Sequence, residues 1–446
     1  MSFPRYPKYK ESGVEWLGQV PEHWEVRRLR YCAQLNPSKS EVAGLAGDTK
    51  VSFLPMEAIG EDGSLDLERE RPLCELESGY TYFRDGDVTI AKITPCFENR
   101  KGAIMRGMLN GIGFGTTELI VARPFKGKLD AQFLHYLFLS PNFRKIGESH
   151  MYGAGGQKRV PDEFVRNFIS GVPSLAEQTA IAAFLDRETG KIDALVAEQE
   201  RLMALLKEKR QAVISHAVTK GLNPKAPMKP SGIEWLGDVP AHWEVKRLKR
   251  MCSVISKGTT PSTVGADFTT EGIRFLKAEN ITESGVDAMP EFYISEEAHA
   301  VLSRGALQAG DVLVVIAGAT TGKSAVLSAK FLPANTNQAV CYLRPFETEI
   351  SAYISLWIST KTIRNFILLA TVQSAQPNLS MEDLGNIPLP VPPRPELQKI
   401  MAVLGKETER FDSLTAEAQR AIDLLQERRT ALISAAVTGQ IDVRPK

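Results

Sequence analysis

A chain of 446 residues with 43% hydrophobic content is long enough for two to four domains with ordinary cores. Its formal net charge of +1 excludes a non-specific nucleic-acid coat, which would be strongly basic, but not a DNA reader with segregated charge. No apolar run is long enough to span a bilayer and MSFPRYPKYKE lacks a signal-peptide core, so a cytoplasmic protein with no membrane contact is expected. Cys32, Cys74, Cys96, Cys252 and Cys341 form no C-x-x-C pair; buried free thiols are expected rather than a zinc site or a disulfide framework.

After the Pro/Lys-rich MSFPRYPKYKES comes SGVEWLGQVPEHWEVRRLR, Ser12 to Arg30. It returns as SGIEWLGDVPAHWEVKRLK, Ser231 to Lys249, displaced by 219 residues and identical at fourteen of nineteen positions. A period that long marks a duplicated domain rather than a solenoid unit. Trp16, Trp24, Trp235 and Trp243 with Pro21 and Pro240 read as a packed turn. His23 and His242 read as structural, since no second titratable group stands beside them at a consistent spacing.

Residues 31–173 and 250–392 fill the two halves with short β-like runs punctuated by Gly, Asn and Pro. VSFLP, GDVTIAKI and ELIVARPF in the first answer to IRFLKAENI, GDVLVVIAG and AVCYLRPF in the second. A helical patch follows each, around AQFLHYLFLS and AYISLWIST. The frame is kept while the inserts at 90–120 and 255–340 diverge, as two related domains reading different targets would need. Charge is segregated too: eight acids face Arg69 and Arg71 between Glu57 and Glu77, whereas Lys92, Arg100, Lys101 and Arg106 face only Glu98.

Ser174 to Val218 reads as one long helix, roughly 60 Å at 1.5 Å per residue. Ser174 and Glu177 suggest a capping box. Ile181, Leu185, Ile192, Leu195, Leu202, Leu206 and Val213 recur in steps of three, four and seven, a coiled-coil seam. The C-terminal segment is a second copy: Glu177, Asp193 and Arg210 recur as Glu396, Asp412 and Arg429, and Ile192, Leu195 and Leu202 as Phe411, Leu414 and Ala421. Equivalent helices related by a pseudo-two-fold axis pack antiparallel. With six basic and seven acidic residues, the first helix suits pairing and docking better than phosphate tracking. TKGLNPKAPMKPSG, Thr219 to Gly232, reads as a linker.

Two motifs point to enzymes and fail. GATTGKS resembles the end of a P-loop, but Ala317 stands where the first glycine belongs and a strand-like run follows instead of a helix. GIGFG, Gly111 to Gly115, resembles a methyltransferase cofactor loop, but no strand with a terminal acid precedes it and its repeat counterpart has no glycine. No N-P-P-Y or D-P-P-Y tetrapeptide is present, so a self-sufficient methyltransferase is not expected.

The duplicated W-L-G-x-V-P-x-H-W-E-V lead-ins, SKGTTPS (Ser256 to Ser262), GATTGKS (Gly318 to Ser324) and NTNQAV (Asn335 to Val340) occur in one order with VPSLAEQTAI and VPPRPELQKI opening the helices. In that order the chain resembles the specificity subunits of type I restriction-modification enzymes over nearly its full length. The one local departure is E-L-Q in the second helix where the first has E-Q. The resemblance implies an α+β fold of two pseudo-symmetric target-recognition domains separated by two long antiparallel coiled-coil helices. The expected boundaries are 1–173 and 231–392 for the recognition domains, 174–218 and 393–438 for the helices, and 219–230 for the linker.

By the same resemblance the chain is a non-catalytic subunit that recognises a bipartite double-stranded DNA site. It scaffolds two methyltransferase subunits and the restriction/translocase subunits. No cofactor is expected in this chain; S-adenosylmethionine belongs to the partner methyltransferase. The rival is a coiled-coil interaction scaffold without sequence-specific DNA reading. DNA contacts are expected from polar and basic side chains in the divergent loops, where Arg and Lys can donate to guanine and Asn and Gln can pair with adenine. In the first domain these are Lys92, Thr94, Asn99, Arg100, Lys101, Thr116, Thr117, Gln157, Lys158 and Arg159. In the second they are Lys257, Thr259, Thr260, Lys277, Asn280, Thr320, Thr321, Lys323, Asn335, Asn337, Gln338, Gln373 and Gln376.

Overall fold

The structure is a computed structural model that describes residues 3–444 apart from Glu77, Gly155 and 372–377. Contacts divide the chain into two compact units, residues 1–200 with 419–446 and residues 201–418. Both divisions fall inside a long helix, since the helices run Leu175–Lys220 and Arg394–Val437. Each unit therefore holds one α+β domain and a part of each helix.

In the first unit, one four-stranded sheet has the order Glu70–Pro72, Lys50–Leu54, Ile112–Gly115, Thr81–Arg84. A second has the order Ala33–Leu35, Leu119–Pro124, Val88–Ala91, Gly102–Ile104. The second unit repeats this with Cys252–Lys257, Val340–Pro345, Val312–Val315, Ser324–Val326 and a three-stranded sheet of Tyr293–Ile294, Ile273–Leu276, Ala334–Thr336. The central strands Val88–Ala91 and Val312–Val315 are buried along their whole length, which accounts for their continuous apolar runs. The duplicated helical patches are Ala131–Leu139, capped by Asp130, and Ser351–Ser359.

Each unit has its own main core. The first gathers Trp24, Phe133, Phe138 and Phe143 with Ile181 and Leu185 of the first long helix and Leu432, Ile433 and Ala436 of the second. The other gathers Trp243, Tyr353 and Trp357 with Ile214 and Val218, and with Leu397 and Ile400. Within each unit the helices run antiparallel. Asp193 pairs with Arg429 at 2.9 Å in the first unit, and Arg210 with Asp412 at 2.6 Å in the second. These are the residues that recur at a displacement of 219, so the same two positions pair crosswise within each unit.

Three expectations change. The expected seam holds in part: Ile181, Leu185 and Ile192 are buried and Leu206 and Val213 half-buried, whereas Leu195, Leu202 and Leu414 are exposed and Ala182, Thr189, Ile214 and Ala217 are buried as well. The capping box is half made: the Glu177 backbone N–H lies 3.4 Å from Ser174 Oγ, but the carboxylate turns away to Trp24 Nε1 at 3.0 Å and His23 Nε2 at 2.9 Å. The segments read as a linker and its N-terminal counterpart carry strands, with Met228–Pro230 on Asp238–Pro240 and Tyr9–Glu11 on Gln19–Pro21. Cys32, Cys252 and Cys341 are buried as expected, whereas Cys74 is exposed and Cys96 partly so.

Candidate nucleic-acid interface

The divergent loops of the first domain converge on one edge. Strand Val88–Ala91 ends at Lys92, whose N–H donates to Glu118 O at 2.8 Å and whose carbonyl accepts from Val160 N at 2.8 Å. Thr94 Oγ1 donates to Lys158 O at 2.9 Å and accepts from Lys158 N at 2.7 Å. The Arg159 guanidinium grips Glu118 through Nη2 at 2.8 Å and Nε at 2.9 Å, and this hydrogen bonding holds the Glu118 carboxyl below the usual carboxylate range. Lys92, Thr94, Thr116, Thr117, Gln157, Lys158 and Arg159 are thereby brought together. Thr117, Gln157 and Lys158 are exposed, while Arg159 is committed to positioning the loop. Tyr152, bridged through its backbone to Arg159 and 63% exposed, belongs to the same edge. Sequence reasoning passed over it; its place in a glycine-rich stretch next to Gln157 and Lys158 was the available signal.

Asn99, Arg100 and Lys101 turn elsewhere. Asn99 donates to Glu61 at 2.9 Å, Lys101 to Met56 O at 3.1 Å, and Arg100, left-handed at φ 63°, reaches the Thr430 hydroxyl at 3.4 Å. Burial, and then the nearby Arg429, lower the Arg100 pKa. Asn99 and Lys101 thus bond within their own domain, and Arg100 alone of the three reaches the C-terminal helix.

In the second domain, Lys257, Thr259, Thr260, Asn337 and Gln338 lie together. Thr259 N donates to Thr336 O at 3.1 Å and Thr260 bonds Gln338 through their side chains. Gly258 makes the close approach possible, since a Cβ there would lie 1.7 Å from Thr336 O. Thr320, Thr321 and Lys323 occupy the return between Val312–Val315 and Ser324–Val326, an antiparallel pair. GATTGKS is therefore a β-hairpin turn and no helix follows it to receive a phosphate. From Ile112 on, GIGFG is likewise strand, and a Cβ on Gly113 would collide with Phe83 and one on Gly115 with Leu54 O.

Two predicted contacts are corrected. Asn335 and Asn280 are fully buried. Asn335 bonds His299 and Leu302 O, and Asn280 bonds Lys277 N, Asp287 O and Pro290 O. Their amides are spent on folding the loops, which their sequence position near divergent segments did not disclose. Lys277 lies over the rings of Phe268 and Phe292, directly after Leu276, which pairs in register with Thr336. Gln373 and Gln376 lie outside the described residues.

A recurring ion pair sits at the other end of the strands that lead to each edge. Arg123 binds Asp87 through Nε at 2.6 Å and Nη2 at 2.8 Å; Arg344 binds Asp311 through Nε and Nη2, each at 2.8 Å. The first unit adds Glu41, 2.6 Å from Arg123, whose hydrogen bonding lowers the Glu41 pKa. The duplicated GDV and RPF runs carried this signal unread. Among the described residues no group of His, Cys, Asp or Glu is placed to hold a metal ion, and no helix is long and apolar enough to cross a membrane.

The fold is a duplicated α+β frame with divergent, exposed polar edges and paired long helices. The family model described as type I restriction modification DNA specificity domain matches residues 240–422. Over 189 residues the chain is 44% identical to the type I restriction enzyme EcoAI specificity subunit of Escherichia coli, covering 42% of this chain and 31% of that one. The EcoEI specificity subunit of the same organism is 40% identical over 201 residues, 45% and 33% of the two chains. The matched stretch thus spans about a third of the length of these relatives. A chain from a solved type I R-M system superposes with a TM-score of 0.73 at 19% identity, covering 94% of this chain and 98% of that one. The HsdS subunit of Thermoanaerobacter tengcongensis gives 0.54 at 19% identity with the same coverage. At such identities these two show the fold. Residues 240–422 thus match a type I DNA specificity domain, and the chain is similar in sequence to specificity subunits of type I restriction enzymes.

Proposed function

We propose that this chain is the non-catalytic DNA-recognition subunit of a type I restriction-modification complex. Each domain reads one half of a split double-stranded site through its exposed edge. The observation that carries this reading is the pair of equivalent edges built on one backbone plan with different side chains. Val160 N donates to Lys92 O at 2.8 Å in the first domain, and Leu379 N donates to Ile316 O at 2.8 Å in the second. Around that shared bond the side chains differ: Lys92 and Thr94 of one domain stand where the other has Ile316 and Gly318. A frame held constant while its exposed polar groups change is suited to reading two different base sequences in the major groove.

The long helices hold the two readers at a set spacing and dock two methyltransferase subunits, which bind S-adenosylmethionine and flip the target adenine; restriction subunits join that complex. In support, the helices leave large apolar side chains outside their own seam: Leu195 and Leu424 in the first unit, Leu202 and Leu205 in the second.

The test is enrichment from random-sequence duplex DNA by the chain together with a type I methyltransferase subunit, with and without methyl donor. A split motif with a constant gap is expected. Assembly with the subunit but no enriched sequence would replace this reading with that of an interaction scaffold.

A further inference from the structure

We infer that each unit carries, at the foot of its recognition domain, a contact for the phosphodiester backbone of DNA: Arg28 and Arg30 in the first, and Arg247, Lys249 and Arg250 in the second. The inference rests on the DNA-reading function proposed above and adds a site outside the divergent loops.

The lead-in motif ends in a strand and a short 3-10 turn, Glu25–Arg28 with Leu29–Tyr31 in one unit and Glu244–Arg247 with Leu248–Arg250 in the other. The strand is fixed by pairing with Ile169–Val172 or Pro388–Val391, and the turn by a fully buried leucine, Leu29 or Leu248. Lys246 and Arg27 are neutralised by Glu244 and Glu25. The remaining cations are exposed and meet no carboxylate. Arg28 donates to Asn167 at 3.4 Å and Arg247 to Asn386 at 3.2 Å, both neutral amides. Arg30 touches only the neighbouring Tyr31, and Lys249 and Arg250 have no side-chain partner among the described residues.

Arg28 recurs unchanged as Arg247, and beyond it the duplication retains charge but not shape. Arg30 becomes Lys249, and Tyr31 becomes a further cation, Arg250. A bidentate base contact does not survive exchange of arginine for lysine, whereas a phosphate oxygen accepts either. Protein interfaces are depleted in lysine, which disfavours an acidic protein face as the partner. Because the charge is common to both halves while the reading edges differ, its ligand is the part of DNA that does not vary with sequence.

The distance fits. Strand Cys252–Lys257 leaves the cation cluster and arrives at Lys257 on the reading edge. In the first unit, strand Ala33–Leu35 leads to Asn36, whose Oδ1 accepts from Val121 N at 3.0 Å on the strand that begins just after Thr117. Five strand residues rise roughly 17 Å, about five phosphate steps at 3.4 Å each. The cluster thus reaches backbone flanking the half-site.

The test is the full chain with its methyltransferase subunit carrying Arg30→Gln and Lys249→Gln together, neither of which touches a reading loop or the core. Binding is measured on the enriched site and on unrelated duplex between 50 and 200 mM salt. Two phosphate contacts contribute a salt slope of about 1.8, so the affinity lost over that range should be about tenfold smaller in the variant than in the unaltered protein. Affinity at low salt should fall on both DNAs with the enriched motif unchanged. An unaltered slope, or a changed motif, overturns the inference. Loss of methyltransferase assembly with DNA slope intact would assign the cluster to an acidic protein partner and overturn it as well. Failure of the unaltered complex to enrich any sequence is a separate outcome, which sinks the DNA-reading function itself.

Discussion

The beginnings of the two long helices and the exposed edges of the two domains repeat in opposite ways. At the helix starts the side chains themselves recur: Glu177 receives Trp24 and His23, and Glu396 receives Trp243 and His242. At the edges a backbone hydrogen bond recurs, while Lys92 and Thr94 beside it give way to Ile316 and Gly318. Duplication kept what holds the helix to the domain and released what faces outward, so the two regions answer to different partners. The halves of one chain then serve as controls for each other.

The largest expected effect breaks the comparison at the edges. Replacing residues 250–390 by the corresponding domain of another family member should exchange one half-site and leave the other, read from the methylation pattern; change in both halves would end the division of labour. Inserting about four residues near Met203 should alter the gap tolerated between half-sites without altering their letters. Altered letters would show that the helices take part in reading.

Next comes the buried pair at the other end of the strands that lead to each edge. Removing one member of a buried ion pair typically costs about 3–5 kcal/mol because the other is stranded. Asp311→Ala leaves Arg344 with only a backbone acceptor at Ala306, whereas Asp87→Ala leaves Arg123 its Glu41 partner. Urea unfolding should therefore find Asp311→Ala the more damaging; equal losses would mean Glu41 contributes nothing.

A smaller difference is expected at the helix starts. The Glu177 carboxylate is 5% exposed and that of Glu396 26%. Trp24→Phe should cost about 2 kcal/mol as the indole hydrogen bond to a buried charge is lost, and Trp243→Phe about 1. Both are read as thermal shifts.

The smallest effect is one of pH. Burial, with Arg144 next, pushes the His135 pKa down to about 4, while the corresponding helix of the other unit has Ser355. An unfolded histidine titrates near 6.5, so below that pH the unfolded chain takes a proton the folded one refuses. Stability from this residue is complete above pH 6.5 and declines as pH falls toward 4. His135→Gln should remove that part of the slope in unfolding titrations; an unchanged slope would place the titration elsewhere.

Much of the frame was legible because duplication doubles every signal. VSFLP and IRFLK, or the two RPF runs, confirm each other in the same order along the two halves, and a strand or helix type follows from local periodicity. Less of the interface was legible. Asn335 and Asn280 have the residue type of base readers, and only their hydrogen bonds to His299, Leu302, Asp287 and Pro290 show that they face inward. Arg100 sits beside Thr94 in sequence yet turns toward Thr430.

By itself, then, the sequence determined the duplication, the element types, the long helices and the failure of both enzyme motifs, because these rest on spacing and on residues near in the chain. Tertiary structure alone decided which of the expected seam residues are buried, that Glu177 serves Trp24 and not its own cap, and which polar side chains remain free. Those outcomes depend on groups far apart in sequence competing for the same hydrogen bonds and the same buried space, and periodicity carries no record of who wins that competition.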